Sequence, residues 1–496
     1  MRPPWWGLAR GVVVVAVGGG LVWAATNVSG TLSLTPAVEQ VAAPQSALVP
    51  VASSALSCPG PETEGLAGVP AVAGTTTVYA ASPPAAAMTG LAAVPEAGSV
   101  ALTAVPPGDA ASTGTPLAAT SVAATVVQAP LTGSTVGRVS ATGALAPGVA
   151  GLQTTLTTEG DDRALSATAC RTPGSDLWLV GGGGGSTRRE RVVLTNPGAN
   201  AVSVDVSVLG QAGALASASG DNVAVPAHGR TSLLVDALVG PEKTPVVHVV
   251  ATGGAVTATL SDSWVDGAVG RGADDVAPTA EPSNDQVVPG VFVSGPTTLR
   301  VAVPGNEEAV VQARALTAAG PVGLPGDGVI RIPGSSVREI DLSSLPAGSY
   351  AVQVRADKPV VAGVVLERRG TAAQQSDLAW SSSTAPVPVL AGTPLPAGAS
   401  GSLQLVSTGD TASASVYTVS ASGQVTPHTY ALAADSTVTL DVSGQQQVWV
   451  RQTTGTIRAA VSISVTEGTA GPLFAVVPLP PAVVSATQVP VRQLPG

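Results

Sequence analysis

Leu194-Thr195-Asn196-Pro197-Gly198 ends an apolar run in a turn, and the same phrase comes back further along the chain. It returns as Val301-Ala302-Val303-Pro304-Gly305 and again, worn down, as Leu405-Val406-Ser407-Thr408-Gly409. The copies lie about 105 residues apart, a period that marks a tandem array rather than one large domain. A fainter first copy opens at Leu56-Ser57-Cys58-Pro59-Gly60.

Around this turn each copy keeps the same order of elements. Val202, Val204, Val206 and Val208 alternate with polar residues and predict a strand with one buried face. It ends in the turn Gly210 to Gly213, with counterparts near Gly320 and Gly423. A third element reads Val223-Ala224-Val225-Pro226, then Ile330-Arg331-Ile332-Pro333, then Tyr430-Ala431-Leu432-Ala433. The strand after it closes on Asp236, Asp341 or Asp441. A last pair of strands runs Ala351 to Arg355 and Val360 to Leu366 in the third copy. Six or seven short strands with turn signals at about 8–12-residue spacing predict an antiparallel sandwich.

The expected fold is therefore all-β: an N-terminal transmembrane helix followed by tandem Ig-like β-sandwich modules. A β-propeller is the alternative, since blades of about 40–50 residues would fit two to a period. The division runs 1–10 cytoplasmic, 11–26 anchor or signal peptide, 27–50 stalk, and 51–180 a divergent module. Sandwich repeats follow at 181–280, 281–385 and 386–483, with a fraying tail at 484–496. The Pro- and acid-rich stretches Asp274 to Pro289 and Ser376 to Pro396 read as semi-stiff joints between modules, with the Val segment of each pairing as the first strand of the next module.

Composition agrees with this. Hydrophobic residues make up 45 % and charged residues only 11 %, which argues against disorder. Aromatics are 3 %, so the cores must be built from Ala, Val and Leu. A net charge of −10 leaves no electrostatic footprint for nucleic acid.

Residues 11–26 are apolar, with Arg2 and Arg10 before them and no Lys or Arg again until Arg138. That asymmetry places the N-terminus in the cytoplasm and the bulk of the chain outside. A cleaved signal peptide leads to the same compartment. Cys58 and Cys170 open and close the first module, and outside the cytoplasm they are expected to pair. For a loop of roughly 100 residues such a bridge contributes about 4.7 kcal/mol in the chain-entropy account.

No catalytic residue, cofactor or metal site is expected. The run Gly181 to Gly185 is followed by Ser186-Thr187-Arg188, not the Gly-Lys-Ser/Thr of a phosphate loop, and reads as a flexible linker. His228 and His428 fall at turns and His248 on a strand, with no HExxH pattern. The acid pairs Asp161-Asp162, Asp274-Asp275 and Glu307-Glu308 lack the spacing of an oxygen-ligand loop and read as solvated. Trp178, Trp264, Trp380 and Trp449 read as core or joint fillers.

The opening Cys58-Pro59-Gly60-Pro61-Glu62, the N-terminal apolar span, Trp178 before a Gly-rich turn, and Leu194 to Gly198 resemble an uncharacterised actinobacterial family. Its members are secreted, membrane-anchored proteins classed as a domain of unknown function. The resemblance implies an envelope location, near cell-surface glycosyltransferases, and supplies no catalytic residues. The expected role is a membrane-anchored extracytoplasmic scaffold or interaction protein, not an enzyme. Its partners would be the membrane, envelope proteins or cell-wall glycans. The alternatives are an accessory subunit of a polymer-export or glycosyltransferase system, and a divergent propeller-type hydrolase or lyase.

Overall fold

A computed structural model describes residues 5–28, 47–61, 74–106, 114–133, 135–160, 162–267, 269–324, 328–370, 376–466 and 471–488. The chain divides into two units, residues 1–48 with 487–496, and residues 49–486. The main described element of the first is the helix Trp5–Val28, which covers the stretch expected to be an anchor. Among the described residues no helix is long and apolar enough to cross a membrane. Of the stalk, residues 29–46 lie outside the described residues, and Ala47–Pro50 is a strand.

The larger unit is built from four modules with one topology. In each, one sheet takes its strands in the order first, sixth, third, fourth, and the other in the order fifth, second, seventh, eighth. In the last module these are Leu390–Pro394, Gln445–Thr454, Ala412–Ser420 and Val425–Leu432, then Thr437–Asp441, Ser400–Ser407, Ile457–Thr466 and Pro472–Pro478. The first module, whose sequence barely shows the repeat, follows the same plan from Ser53–Cys58 to Ala164–Ala169. Strands alternate between two facing sheets, whereas a propeller blade would pair four neighbours in one sheet.

The valine alternation does what its period requires. Val202, Val204, Val206 and Val208 are all buried, beside Val247 of their own sheet and facing Leu194 and Leu260 across the sandwich. Each contributes about 1.5 kcal/mol or more by leaving water. An aspartate at Val206 would strand an unpaired charge there.

Several boundaries differ from the sequence expectation. Asp176–Val180, placed there at the end of the first module, pairs with Val246–Val250 of the second. The expected strand pair of the third copy is one continuous strand, Gly348–Arg368, which serves as sixth strand in one sheet and seventh in the other. Asp341 and Asp441 do close their strands, and each accepts a hydrogen bond from the N–H two residues on. Asp236 does not: it lies in the short helix Val235–Val239 that follows the corresponding strand. In the tail, Val484 is buried and Ser485–Gln488 is a strand, while residues 489–496 lie outside the described residues.

The larger correction concerns the joints. Asp274–Val276 and Asp377–Ser382 are strands, not spacers, and Ser283–Val293, which holds the Val pair, is the first strand of the third module as expected. The eighth strands are Ala164–Ala169, Val269–Val276, Asp377–Ser382 and Pro472–Pro478. Each touches the next, and the fourth returns to the first. The modules thus close a ring around four inner strands. Their small side chains, among them Ala167, Ala379, Ser381 and Ala475, are what lets the backbones approach. Val365, Leu378 and Trp380 of the third module lie in the core of the second, and Ala460, Phe474 and Val476 of the fourth in that of the third. Tyr79, Leu152 and Leu165 of the first lie in that of the fourth. Cores are thus shared at three of the four seams, and at the fourth the inner strands Ala164–Ala169 and Val269–Val276 meet directly.

The cysteines pair as Cys58–Cys170. The bridge ties the module's first strand to the residue that follows its inner strand.

Candidate functional site

Three acids lie side by side across the inward face of the second module. Glu190, Asp262 and Asp274 occupy neighbouring strands and stand opposite one another in register. They share that face with Val192, Leu194, Leu260 and Val276, all buried. The polar row closes one end of the apolar core.

Every element around the row comes from a different part of the chain. Trp380 of the third module donates its indole Nε1–H to Asp262 Oδ2 at 2.8 Å and its backbone N–H to Asp274 Oδ2 at 2.7 Å. Ala167 of the first module donates to Asp274 Oδ1 at 3.4 Å. The N–H of Gly183 donates to Glu190 Oε1. Burial pushes the Glu190 carboxyl up to about 8, with the neighbouring Asp262 charge adding to the rise. Burial likewise holds Asp274 well above the ordinary carboxylate range, against the pull of the Trp380 N–H.

The glycine run Gly181 to Gly185 forms the lid of this row, and it is not the flexible linker expected. Gly181, Gly182 and Gly183 are buried. A Cβ on Gly181 would come within 2.6 Å of Val276, and Gly182 adopts a φ of +77° against Glu190. The close approach requires glycine, because a side chain there would displace the strand beneath. Arg300 of the third module clamps the lid. It donates to the carbonyls of Gly181 at 2.8 Å and Pro245 at 3.0 Å and pairs with Glu339 at 2.8 Å. Its guanidinium lies 5.1 Å from the Trp380 ring.

A raised carboxyl beside a second acid is a pattern of acid–base sites. Here Glu190 and Asp262 are 4 % and 0 % exposed, covered by the lid and Trp380, so the pair holds a proton and braces a seam without meeting solvent. Asp377 acts alike at the next seam, accepting from Leu378 N–H and from Phe474 N–H of the fourth module at 2.9 Å.

Of the residues singled out from sequence, Asp274, Trp380 and the glycine run meet at this row, so Asp274 is buried and not solvated as expected, while the others do not converge. His228 lies in a turn at φ +48°, beside Arg138 at 2.9 Å. His248, on its strand, stacks on Trp178 with ring centroids 3.9 Å apart and meets Asp176 at 2.9 Å. His428 is on the strand Val425–Leu432, not at the turn expected. Of the acid pairs, Asp162 binds Arg189, Glu307 binds Lys358, and Glu308 binds Arg331 at 2.8 Å. Asp161 lies outside the described residues. Among the described residues no three His, Cys, Asp or Glu come together to hold a metal ion. Trp178, Trp380 and Trp449 are buried, and Trp264 is partly exposed.

A cleft of about 730 Å³ opens at the end of the ring where the inner strands finish. The first, second and fourth modules all line it, through Leu56, Ala169, Leu177, Pro278, Pro481 and Val483 among others. One wall is the edge strand Ser53–Cys58, hydrogen-bonded on one side to Val136–Thr142. On its other side Ser57 exchanges two bonds with Arg171, at 2.8 and 3.0 Å. By the alternation of an antiparallel ladder, Ser53 and Ala55 turn their N–H and C=O groups to that same side.

Sequence reasoning missed the acid row. Its members are scattered along the chain, but a signal existed. Glu190, Asp262 and Asp274 each stand at inward parity in a strand, two residues from Val192, Leu260 and Val276.

A family model described as "Family of unknown function (DUF5719)" matches residues 122–443. No curated protein matches the sequence. Among solved structures, one from Thermotoga maritima, "Thermotoga maritima 1070", is 16 % identical and covers 21 % of this chain and 93 % of its own, with a TM-score of 0.19. A tetra-tandem repeat in the extending region of a large adhesion protein is 15 % identical and covers 79 % of this chain and 92 % of its own, with a TM-score of 0.09. Neither superposes closely enough to carry an inference.

Proposed function

The chain belongs to the family of unknown function DUF5719, and from that premise we propose that it is an extracytoplasmic scaffold of the cell envelope that seats an extended segment of a partner protein in its cleft. The observation that carries this is the closure of the ring. Four two-sheet modules, joined by shared cores at three of their four seams, make a stiff body, and closure brings three of them together around one cleft. The part of the Ser53–Cys58 edge at Ser53 and Ala55 can take up a further strand, whose main-chain bonds supply affinity while the apolar walls select side chains.

Placement outside the cytoplasm is supported by the Cys58–Cys170 bridge and by the lack of Lys and Arg between Arg10 and Arg138. An anchor at 11–26 belongs to the same proposal. An accessory role in polymer export or glycosyl transfer is its narrower form.

The test is a photo-cross-linking residue at Leu56 in the full chain, with the same residue at Thr429 as control. One envelope protein captured from Leu56 and not from Thr429 is expected. Equal adducts at both positions, or a chain recovered from the cytosol with both thiols reduced, would sink the proposal.

A further inference from the structure

We propose that the pole of the ring opposite the cleft, where Arg163, Arg188, Arg271, Arg368 and Arg369 gather around Trp264 and Asp377, binds an oxyanion, a phosphate or carboxylate group carried on a larger molecule. The cleft lies where the inner strands end, and this pole lies where they begin. Arg163 precedes the first inner strand, Arg271 lies within the second, and Asp377 opens the third.

The concentration of cations is the first observation. The chain carries a net charge of −10 and only 22 Lys and Arg residues. Yet three guanidiniums approach one indole: Arg188 at 4.5 Å from the Trp264 centroid, Arg369 at 5.7 Å and Arg271 at 5.9 Å. Each has an acid beside it, Asp262 at 3.6 Å, Glu367 at 2.7 Å and Asp266 at 2.9 Å, and Glu190 also acts on Arg188.

The second observation is independent of the first. Arg163 is 2 % exposed and donates through Nη2 to the Gly471 carbonyl at 2.6 Å, but its Nε and Nη1 have no hydrogen-bond partner. The same holds for Nε and Nη2 of Arg368 and for Nε of Arg271 and Arg188. Arg368 stands in register with Asp377, and a Cβ on Gly272, next to Arg271, would come within 2.6 Å of Asp377 Oδ1. The two groups of arginines are therefore contiguous. Asp377 faces both Arg163 and Arg368, and burial pushes its carboxyl up against their pull. Buried N–H groups are nearly always satisfied, and a cluster that is not marks a place where a ligand completes the bonding. Guanidinium forks match the paired oxygens of carboxylate and phosphate, and the partly exposed Trp264 adds a flat face beside them.

The full chain is titrated with tripolyphosphate, with polygalacturonate and with neutral dextran, reading heat and tryptophan emission at low and high salt. Arg271 and Arg369 keep 20 % and 47 % side-chain exposure, so the double substitution R271Q/R369Q should leave the melting temperature unchanged. We expect one or both polyanions to bind, dextran not to, and affinity to fall at least tenfold in that variant and with added salt. Tripolyphosphate alone would assign phosphate, polygalacturonate alone carboxylate, and both a general oxyanion site. A second double variant, R331Q/R355Q, removes exposed arginines elsewhere and should bind as the unsubstituted protein does. The proposal fails if neither polyanion binds, or if the two double variants lose affinity equally.

Discussion

Each module has two kinds of sheet edge, and they are opposites. The eighth strands face inward. Ala164–Ala169 and Asp377–Ser382 are buried at every residue and hold no proline, and Pro472–Pro478 has proline only at its two ends. The fourth strands face outward. They are exposed, and each carries a proline or is cut short: Pro116 in Thr115–Thr120, Gly213–Leu215 with only three residues, Pro321 in Gly320–Gly323 and Pro427 in Val425–Leu432. A bare edge invites pairing with another chain, and proline or brevity discourages it. The inner edges need no such defence because the ring itself covers them. One topological position can thus be an adhesive or a barrier, and composition tells which.

The largest effect should come from breaking an inner seam. Asp274→Ala leaves the N–H groups of Ala167, Asp275 and Trp380 without their acceptor. At roughly 1–3 kcal/mol for each orphaned donor, a loss of about 3 kcal/mol or more is expected in urea unfolding. Asp274→Asn, which keeps an acceptor oxygen, should lose less. If both variants unfold like the parent, the seam acid is not a brace.

A smaller effect sharpens the same comparison through pH. The unfolded chain releases the Glu190 proton near 4.5, while the folded protein keeps it to about 8. Between these values the folded state binds more protons, so stability falls as pH rises through that window. Asp274 and Asp377, raised by burial, act in the same direction. Exposed Asp341 and Asp441, held below the usual range by Ser343 and Ser443, act in the opposite one, and solvent makes their share small. Glu190→Gln keeps the acceptor for Gly183 and removes the ionisation. It should melt about 2 °C or more above the parent at pH 8.5 and show a flatter pH profile. An unchanged profile would remove Glu190 from the account.

The smallest effect belongs to the outer edge. Pro427→Val should change stability by no more than about 0.5 kcal/mol. Its consequence should appear instead in size-exclusion chromatography, as concentration-dependent self-association through the restored edge. A variant that stays monomeric at high concentration would show that Pro427 guards nothing.

The sequence made the modules legible but not their closure. Strand content followed from the Val202 to Val208 alternation, and the Cys58–Cys170 pairing from position and compartment. Both rest on local periodicity or on two residues alone. The ring rests on contacts such as Arg163 with Gly471, which lie 308 residues apart and leave no periodic trace. The prolines of 274–289 and 376–396 suggested spacers because proline stiffens a linker. In the fold much of both segments is strand, with Pro289 at a bulge and Pro394 at a strand end, while Pro278, Pro386 and Pro388 lie in the short connections. The glycine run looked idle because only burial over Glu190 gives it a purpose.

Where the ring closes, the amide of Val51 donates to the carbonyl of Val484 at 3.2 Å, and that of Gly148 to Val483 at 2.9 Å. Incoming and outgoing polypeptide therefore share one doorway. A short splice across it, with a new opening cut at the exposed turn of Gly409 to Thr411, would give a permuted chain with every seam intact. In that sense the four modules have a cyclic order but no intrinsic first member.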